Sequence, residues 1–178
     1  MCLFSRNVMP LKADKPITCY KVFEEVYCSL DASCEAKMII TPYMGQVVTR
    51  DEFDGIKPMQ PDIAPITKIY RPLIGKDNTQ YIMIESGFIH AYQIKDAAIT
   101  DMREYFSRLS ITEIIKHHGD TYLLCRFILC ECEIPAGTEY YKGGDEPGRI
   151  ETEEYCGAEQ IIIKKVIAEA KNGKVKIL

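Results

Sequence analysis

The feature that most constrains the fold is an apolar run in the second half of the chain, TYLLCRFILCECEI at residues 121–134. Apolar residues occupy both alternating sets of positions, so both faces of a strand formed here would be largely apolar. Strands of this kind lie inside a sheet that is covered on both sides. The run therefore predicts a central strand, and the rest of the chain has to supply its neighbours.

Arg126 lies in the middle of that run. A buried guanidinium needs a carboxylate or a carbonyl as partner, which favours a structural ion pair. The alternative is a side chain that extends to solvent along its apolar stem. A third reading makes Arg126 a substrate-binding residue, and we keep it as a candidate for binding.

Alternating, β-branched segments elsewhere predict further strands. The Asn172-Gly173 pair near the end predicts a tight hairpin. The predicted strands lie in ITCYKVF at 17–23, in KMIITPYMGQVVT at 37–49 with a turn inside it, in QYIMIESGFIHAY at 80–92, in EQIIIKKVIAEA at 159–170 and in KNGKVKIL at 171–178.

Helical spacing is confined to the middle of the chain. An apolar stripe at that spacing predicts one helix, and Ser110 with Glu113 forms a capping box that predicts a second helix ending at Gly119. The stripe consists of Ile94, Ala98, Met102, Tyr105 and Leu109. We therefore predict an α+β fold, with a mixed or mainly antiparallel sheet and a helical pair inserted at 93–118.

Length and charge narrow the class of protein. A chain of 178 residues is expected to form a single domain, 1–178, in which the proline-rich segment 51–78 is a long loop, with an edge strand as the alternative. The net charge of −4 argues against general nucleic-acid binding. No apolar run is long enough to cross a membrane, and the first residues lack a secretory signal pattern. We expect a cytoplasmic protein.

The eight cysteines are expected to be free, buried thiols. Their spacing contains no Cys-x-x-Cys pair, so no local zinc motif is present and no metal site is predicted. A site assembled across the fold stays open as an alternative, with ligands drawn from Cys28, Cys34, His117 and His118. Cys130 and Cys132 fall on one face of their strand, where packing is the favoured role.

The segment after the central strand, IPAGTEYY, reads as a reversal of the chain. Pro135 suits position i+1 of a type I turn and Gly137 suits position i+3. Tyr140, Tyr141 and Tyr155 cluster around the hairpin that follows. Tyrosines suit binding surfaces, because each has an apolar face and a polar tip, but they also suit half-exposed sheets.

Several short stretches together resemble a loose group of small phage-encoded and gut-bacterial proteins. The resemblance covers most of the chain apart from the proline-rich segment. It implies a soluble intracellular accessory protein. We expect this protein to act by binding, with another protein as its partner, in the host cytoplasm or in a virion. The stretches are MCL, ITCYKVF, ITPY, SGFIHAY with KDA, CEIPAGTEYYKG and EEYCGAEQIIIKK.

The last third of the chain is also similar to ADP-ribosyltransferase domains, through its I-P-x-G-T turn and the acidic entry to a late strand. The resemblance implies NAD as cofactor, with Glu159 at the position of the catalytic glutamate. Lys21 would replace the arginine or histidine of the first strand, and Ser86 lies near the position of the serine motif. The register around Glu159 differs from the family pattern. Tyr20 would converge on the same pocket.

His90, in GFIHAY, completes the candidates. Its apolar neighbours favour a core or rim residue, and the alternative is a partner for a reactive thiol. The sequence thus leaves two hypotheses: a protein that acts by binding without a cofactor, and an NAD-binding enzyme.

Overall fold

A computed structural model describes residues 3–27, 37–40, 47–49, 69–74, 80–86, 88–104, 114–117 and 120–178. Most of these residues lie in strands. The strands are β1 Leu3–Ser5, β2 Leu11–Lys12, β3 Ile17–Tyr27, β4 Lys37–Ile40, β5 Val47–Thr49, β6 Ile69–Ile74, β7 Gln80–Ser86, β8 Ile89–Tyr92, β9 Ile114–His117, β10 Asp120–Ile134, β11 Glu139–Gly143, β12 Tyr155–Ala158, β13 Ile162–Lys171 and β14 Lys174–Ile177.

These strands form two sheets in which every described pairing is antiparallel. The small sheet has the order β1-β7-β6, and the large sheet has the order β14-β13-β10-β3-β8-β12-β11-β2. In addition, β4 pairs with β3 on one side and with β5 on the other, and β9 pairs with the start of β10.

The long pair β3–β10 is the centre of the large sheet. Its register runs from Leu123 opposite Tyr27 to Ile134 opposite Ile17. On its other side β10 pairs with β13, so the apolar run is an interior strand, as predicted. Alternating residues of the pair enter two separate cores.

The predicted α+β fold with a helical pair at 93–118 is wrong. One α-helix, α1 Lys95–Glu104, is present in the described part of this region. The segment expected to form the second helix contains β9, which pairs with residues 120–123 of β10. β-Branched Ile114 and Ile115 fit a pleated ladder well, and a short isolated helix is marginal without tertiary support. The capping box lies outside the described residues.

α1 itself forms where the apolar stripe placed it. Ala98 and Met102 are buried one turn apart, with Asp96 in the first turn and Arg103 in the last, as the helix dipole favours. Ile94 precedes the helix and is exposed, while Tyr105 and Leu109 lie outside the described residues. In the described part of the chain no helix is both long and apolar enough to cross a membrane.

Segment 51–78 is not a loop throughout. Residues 69–74 form β6, which lies at the edge of the small sheet and contains Pro72 opposite Ile82. Proline lacks the N–H that an interior strand must donate, so an edge is where a sheet tolerates it. Residues 51–68 and 75–78 lie outside the described part.

Two cores flank the large sheet. The helix-side cluster joins the large sheet to α1 and the small sheet; it contains Leu3, Val22, Ile82, Ile84, Phe88, Tyr92, Ala98, Met102, Phe127, Leu129, Tyr141, Tyr155, Ile167, Ala168 and Ala170. The thiol-side cluster is built from the opposite face; it contains Ala13, Cys19, Phe23, Ile89, Ala91, Ile128, Cys130, Cys132, Ile134, Tyr140, Cys156, Ala158, Ile161 and Ile163.

The turn after β10 differs by one residue from the expected register. The N–H of Thr138 donates to the carbonyl oxygen of Pro135 at 3.2 Å, so Pro135 is position i. Gly137 is position i+2, with a φ of 87°. A positive φ at i+2 without one at Ala136, position i+1, is that of a type II turn, and this explains the glycine better than the predicted type I turn does.

The two sheets meet where β1 crosses the end of β11. Phe4 and Gly144 exchange backbone hydrogen bonds of 2.9 and 3.0 Å. At the neighbouring Gly143, a Cβ atom would lie 1.7 Å from the carbonyl oxygen of Phe4. Only glycine permits this approach. Gly143, through its missing side chain, and Gly144, through its hydrogen bonds, therefore both form the junction between the sheets.

Candidate functional site

The most unusual chemical group in the interior is the ammonium of Lys21. The residue is 7% exposed, and its Nζ donates to the carbonyl oxygen of His90 at 2.7 Å. Lys21 is directly opposite Cys130 across the β3–β10 pair, and Cys19 is directly opposite Cys132. These four residues form a square of one amine and three thiols on the thiol-side face, and we call it the amine–thiol square.

Burial sets the electrostatics of the square. It lowers the pKa of Lys21 from its ordinary 10.5 to about 8, because the charged form loses its hydration. It also raises the pKa of the Cys130 and Cys132 thiols. The pKa of Cys19 is raised first by a side-chain hydrogen bond with Cys156 and then by burial.

Those directions describe inert thiols rather than reactive ones. A nucleophilic cysteine needs a lowered pKa and access to solvent, whereas Cys19, Cys130 and Cys132 are at most 1% exposed. Among the described residues, no group of three or more His, Cys, Asp or Glu side chains could hold a metal ion. Cys28, Cys34 and His118 lie outside the described residues, as does the side chain of His117 in β9.

The three catalytic candidates lie in different elements. Lys21 is in β3, Glu159 follows the end of β12 and is partly exposed, and Ser86 ends β7 in the small sheet. The backbone N–H of Glu159 donates to the carbonyl oxygen of Glu139 at 3.1 Å. The side chain of Ser86 lies outside the described part. The burial of Lys21 gives no support to a role in binding NAD, and that role stays a prediction.

The tyrosines proposed as a binding surface are buried. Tyr140, Tyr141 and Tyr155 are 7%, 1% and 4% exposed. Tyr140 packs in the thiol-side cluster and the other two pack in the helix-side cluster. Tyr20 is half-buried against the helix-side cluster, and His90 is half-buried in β8, where its backbone holds Lys21. Tyr140, Tyr141 and Tyr155 therefore pack in the cores, and a binding role for Tyr20 and His90 stays a prediction.

Asp101 connects α1 to the sheet through two tyrosines. The hydroxyl of Tyr155 donates to its Oδ2 at 3.3 Å, and Tyr92 makes a second side-chain hydrogen bond to it. The rings of Tyr92 and Tyr155 lie 5.1 Å apart. Burial raises the pKa of Asp101. Burial also raises the pKa of Tyr92 and of Tyr155, and the negative charge of Asp101 raises both further. The cluster has the character of a packing contact.

Arg126 pairs with two carboxylates from the strands on either side of β10. Its Nε and one terminal nitrogen bind Glu25 of β3 and Glu169 of β13. Glu25 is 4% exposed, and hydrogen bonding to Glu25 is the first cause of the raised pKa of Arg126. The sequence left open whether Arg126 forms a structural ion pair or extends to solvent, and in the structure it forms the ion pair. No contact here tests the substrate-binding reading.

A small polar cleft of about 350 Å³ lies beside the junction of the sheets. Its charges are paired across it, Arg6 with Glu151 and Lys142 with Glu153. All four side chains are at least 31% exposed. Exposed ion pairs of this kind contribute little to the free energy of folding, because water competes for the same charges. The cleft therefore has the properties of a solvated surface.

In the described part of the chain β14 forms an edge of the large sheet, and such an edge is suited to binding an extended segment. β14 is the last strand of the large sheet, and no other described strand pairs with its outer side. The N–H of Leu178 donates to Ile167 of β13 at 2.9 Å. Because bonded and non-bonded pairs alternate along an antiparallel ladder, Lys176 and Lys174 bond toward β13. Val175 and Ile177 therefore direct their N–H and C=O groups outward.

The sequence of residues 162–178 contains its own signal for an edge strand. The hairpin at Asn172-Gly173 was predicted, and both residues have the positive φ of a type I′ turn, 50° and 75°. Lys174-Val175-Lys176-Ile177 alternates after it, and residues 162–178 hold five lysines against one glutamate. Alternation combined with lysines is typical of an edge strand.

Comparison of the chain with protein-family models, with curated proteins and with solved structures finds no match.

Proposed function

We propose that the protein acts by binding another protein, and that the outer edge of β14 receives an extended segment of that partner as an additional strand. Four backbone groups at Val175 and Ile177 point outward and are able to form ladder hydrogen bonds. In this mode of recognition the main chain supplies affinity and the side chains supply specificity. The outward direction of these groups is the observation that carries the proposal.

The chemistry of the interior supports binding over catalysis. The strongest titratable cluster, the amine–thiol square, is sealed from solvent, and the tyrosines named from the sequence fill the cores. The phage-like resemblance supports a location in the host cytoplasm or in a virion, where such a protein would act as an accessory factor.

A random peptide library displayed on a surface tests the proposal. The protein is immobilised in three forms: the natural chain, Ile177→Pro and Ile177→Ala. Proline removes one outward N–H at an edge position that tolerates it, while alanine removes the same half-exposed side chain and keeps the N–H. We expect peptides selected on the natural chain to bind Ile177→Ala and to be lost with Ile177→Pro. Equal binding to both variants would refute strand addition at β14.

A further inference from the structure

We propose that the segment received by β14 is an acidic strand, in which carboxylate side chains alternate with apolar ones. This inference rests on the function proposed above and adds the chemistry of the partner. It follows from the two different faces that β14 presents beside its open edge.

One face of the edge is cationic. Lys174 and Lys176 project from the same side of β14. The side chain of Lys176 is 71% exposed, and its Nζ lies 3.8 Å from a carboxylate oxygen of Glu169 in β13, an ion pair that solvent screens at this exposure. Directly opposite residues on neighbouring antiparallel strands have Cβ atoms about 4.5–5.5 Å apart and on the same face. The residues of an added strand that lie opposite these lysines would therefore meet two positive charges.

The other face is apolar. Val175 packs against the helix-side cluster, and α1 lies against β14 on this side. Ile177 projects to the same face and is 47% exposed. An added strand would place every second side chain here, where a valine or isoleucine continues the apolar surface.

The same charges disfavour a second copy of this chain. Antiparallel pairing of two β14 strands would place lysines opposite lysines, and like charges directly opposite destabilise a sheet. Lysines on an edge strand prevent uncontrolled edge-to-edge pairing in this way. Pairing of β14 with a second copy is therefore disfavoured, and the edge stays available to a strand of opposite charge. Its two lysines are a local positive patch on a chain whose net charge is −4.

Three capped synthetic peptides test the inference. Each alternates valine with a second residue, which is glutamate, glutamine or lysine, and binding is measured by fluorescence anisotropy at low salt. Two opposite-charge pairs of roughly 0.2–1 kcal/mol each predict that the glutamate peptide binds about twofold to thirtyfold more tightly than the glutamine peptide. The lysine peptide should bind most weakly, and the preference should fade as salt is added.

Charge variants assign the preference to the edge. Lys174→Glu with Lys176→Glu should reverse the order of the three peptides. Lys174→Gln with Lys176→Gln should make them equal, and it avoids placing a new carboxylate beside Glu169. Lys12→Glu with Lys15→Glu makes the same change of net charge at exposed positions elsewhere and should leave the order intact.

The outcomes separate the two proposals. Equal binding of all three peptides to the natural chain, lost in Ile177→Pro, would overturn the acidic preference and leave strand addition standing. A preference for the lysine peptide, or an order that survives loss of both lysines, would overturn it as well. If none of the peptides binds, the acidic strand fails together with the proposed function.

Discussion

The ammonium of Lys21 lies 2.7 Å from the carbonyl oxygen of His90, and Lys21 is directly opposite Cys130 in the large sheet. This contact joins β3 to β8 at a point where the two strands share only one register pair, Tyr20 with Tyr92. The lysine therefore supplies a link that the backbone ladder barely provides there. Because Lys21 is buried, its amine cannot contact a ligand from solvent, although an amine is a nucleophile in other settings.

The pH dependence of stability should report the buried amine. Because the pKa of Lys21 falls from 10.5 to about 8 on folding, the proton is carried in both states at pH 7 and the full cost of burying the charge is present. Between pH 8 and 10.5 the folded protein loses that proton first. The contribution of Lys21 to the free energy of unfolding should therefore rise with pH across this window.

The comparison of the natural chain with Lys21→Met isolates that effect from the titration of the thiols and tyrosines. We expect urea unfolding to show the natural chain gaining stability relative to the variant, by up to about 3 kcal/mol between pH 7 and pH 10. Lys12→Met, at an exposed position, should show no such trend. A difference that stays constant with pH would contradict the buried amine.

The ion pairs of Arg126 should matter far more than those on the surface. Arg126→Met leaves Glu25 buried at 4% exposure without its guanidinium, and removing one partner of a buried ion pair is costly. We expect a loss of about 2–4 kcal/mol of unfolding free energy in urea denaturation.

Arg149→Met is the matched control for that experiment. Arg149 also pairs with two carboxylates, those of Asp145 and Glu154, but its side chain is 50% exposed. Its loss should lower the free energy of unfolding far less than the loss of Arg126, because exposed ion pairs contribute little. Equal losses in the two variants would show that burial does not distinguish the networks.

Gly137 should be intolerant of a side chain for a conformational reason alone. A Cβ at this position meets nothing within 4 Å, yet the φ of 87° is strained for any other residue. We expect Gly137→Ala to lower the free energy of unfolding by about 1–2 kcal/mol. Gly148→Ala, also in open space but without a positive φ, should be close to neutral by thermal melting, and similar melting temperatures for the two would refute the strain.

Local patterns predicted the elements whose chemistry is local. The apolar run identified β10 as an interior strand, Ala98 and Met102 identified α1, and Asn172-Gly173 identified the last hairpin. The prediction of a second helix was wrong because Ile114 and Ile115 suit a strand as well as a helix. Pairing with β10 stabilises the strand, and the periodicity of the sequence does not reveal that pairing. The turn at Pro135 was displaced for a related reason, since proline suits more than one position.

Relations across strands were beyond the sequence. Cys19 lies opposite Cys132 only because of the register between β3 and β10, and nothing near either cysteine specifies it. The same holds for Arg126, whose partners Glu25 and Glu169 lie 101 and 43 residues away along the chain. Burial of Tyr140, Tyr141 and Tyr155 could not be told from exposure, because tyrosine suits both.

Amide hydrogen exchange measured by NMR on the natural chain, with and without the valine–glutamate peptide, tests the central claim most directly. In the free protein the amides of Val175 and Ile177 should exchange rapidly, while those of Lys176 and Leu178, which donate to β13, should be protected. Adding the peptide should slow Val175 and Ile177 in particular. Strong protection of these two amides in the free protein, or slowing only at residues away from β14, would contradict strand addition at this edge.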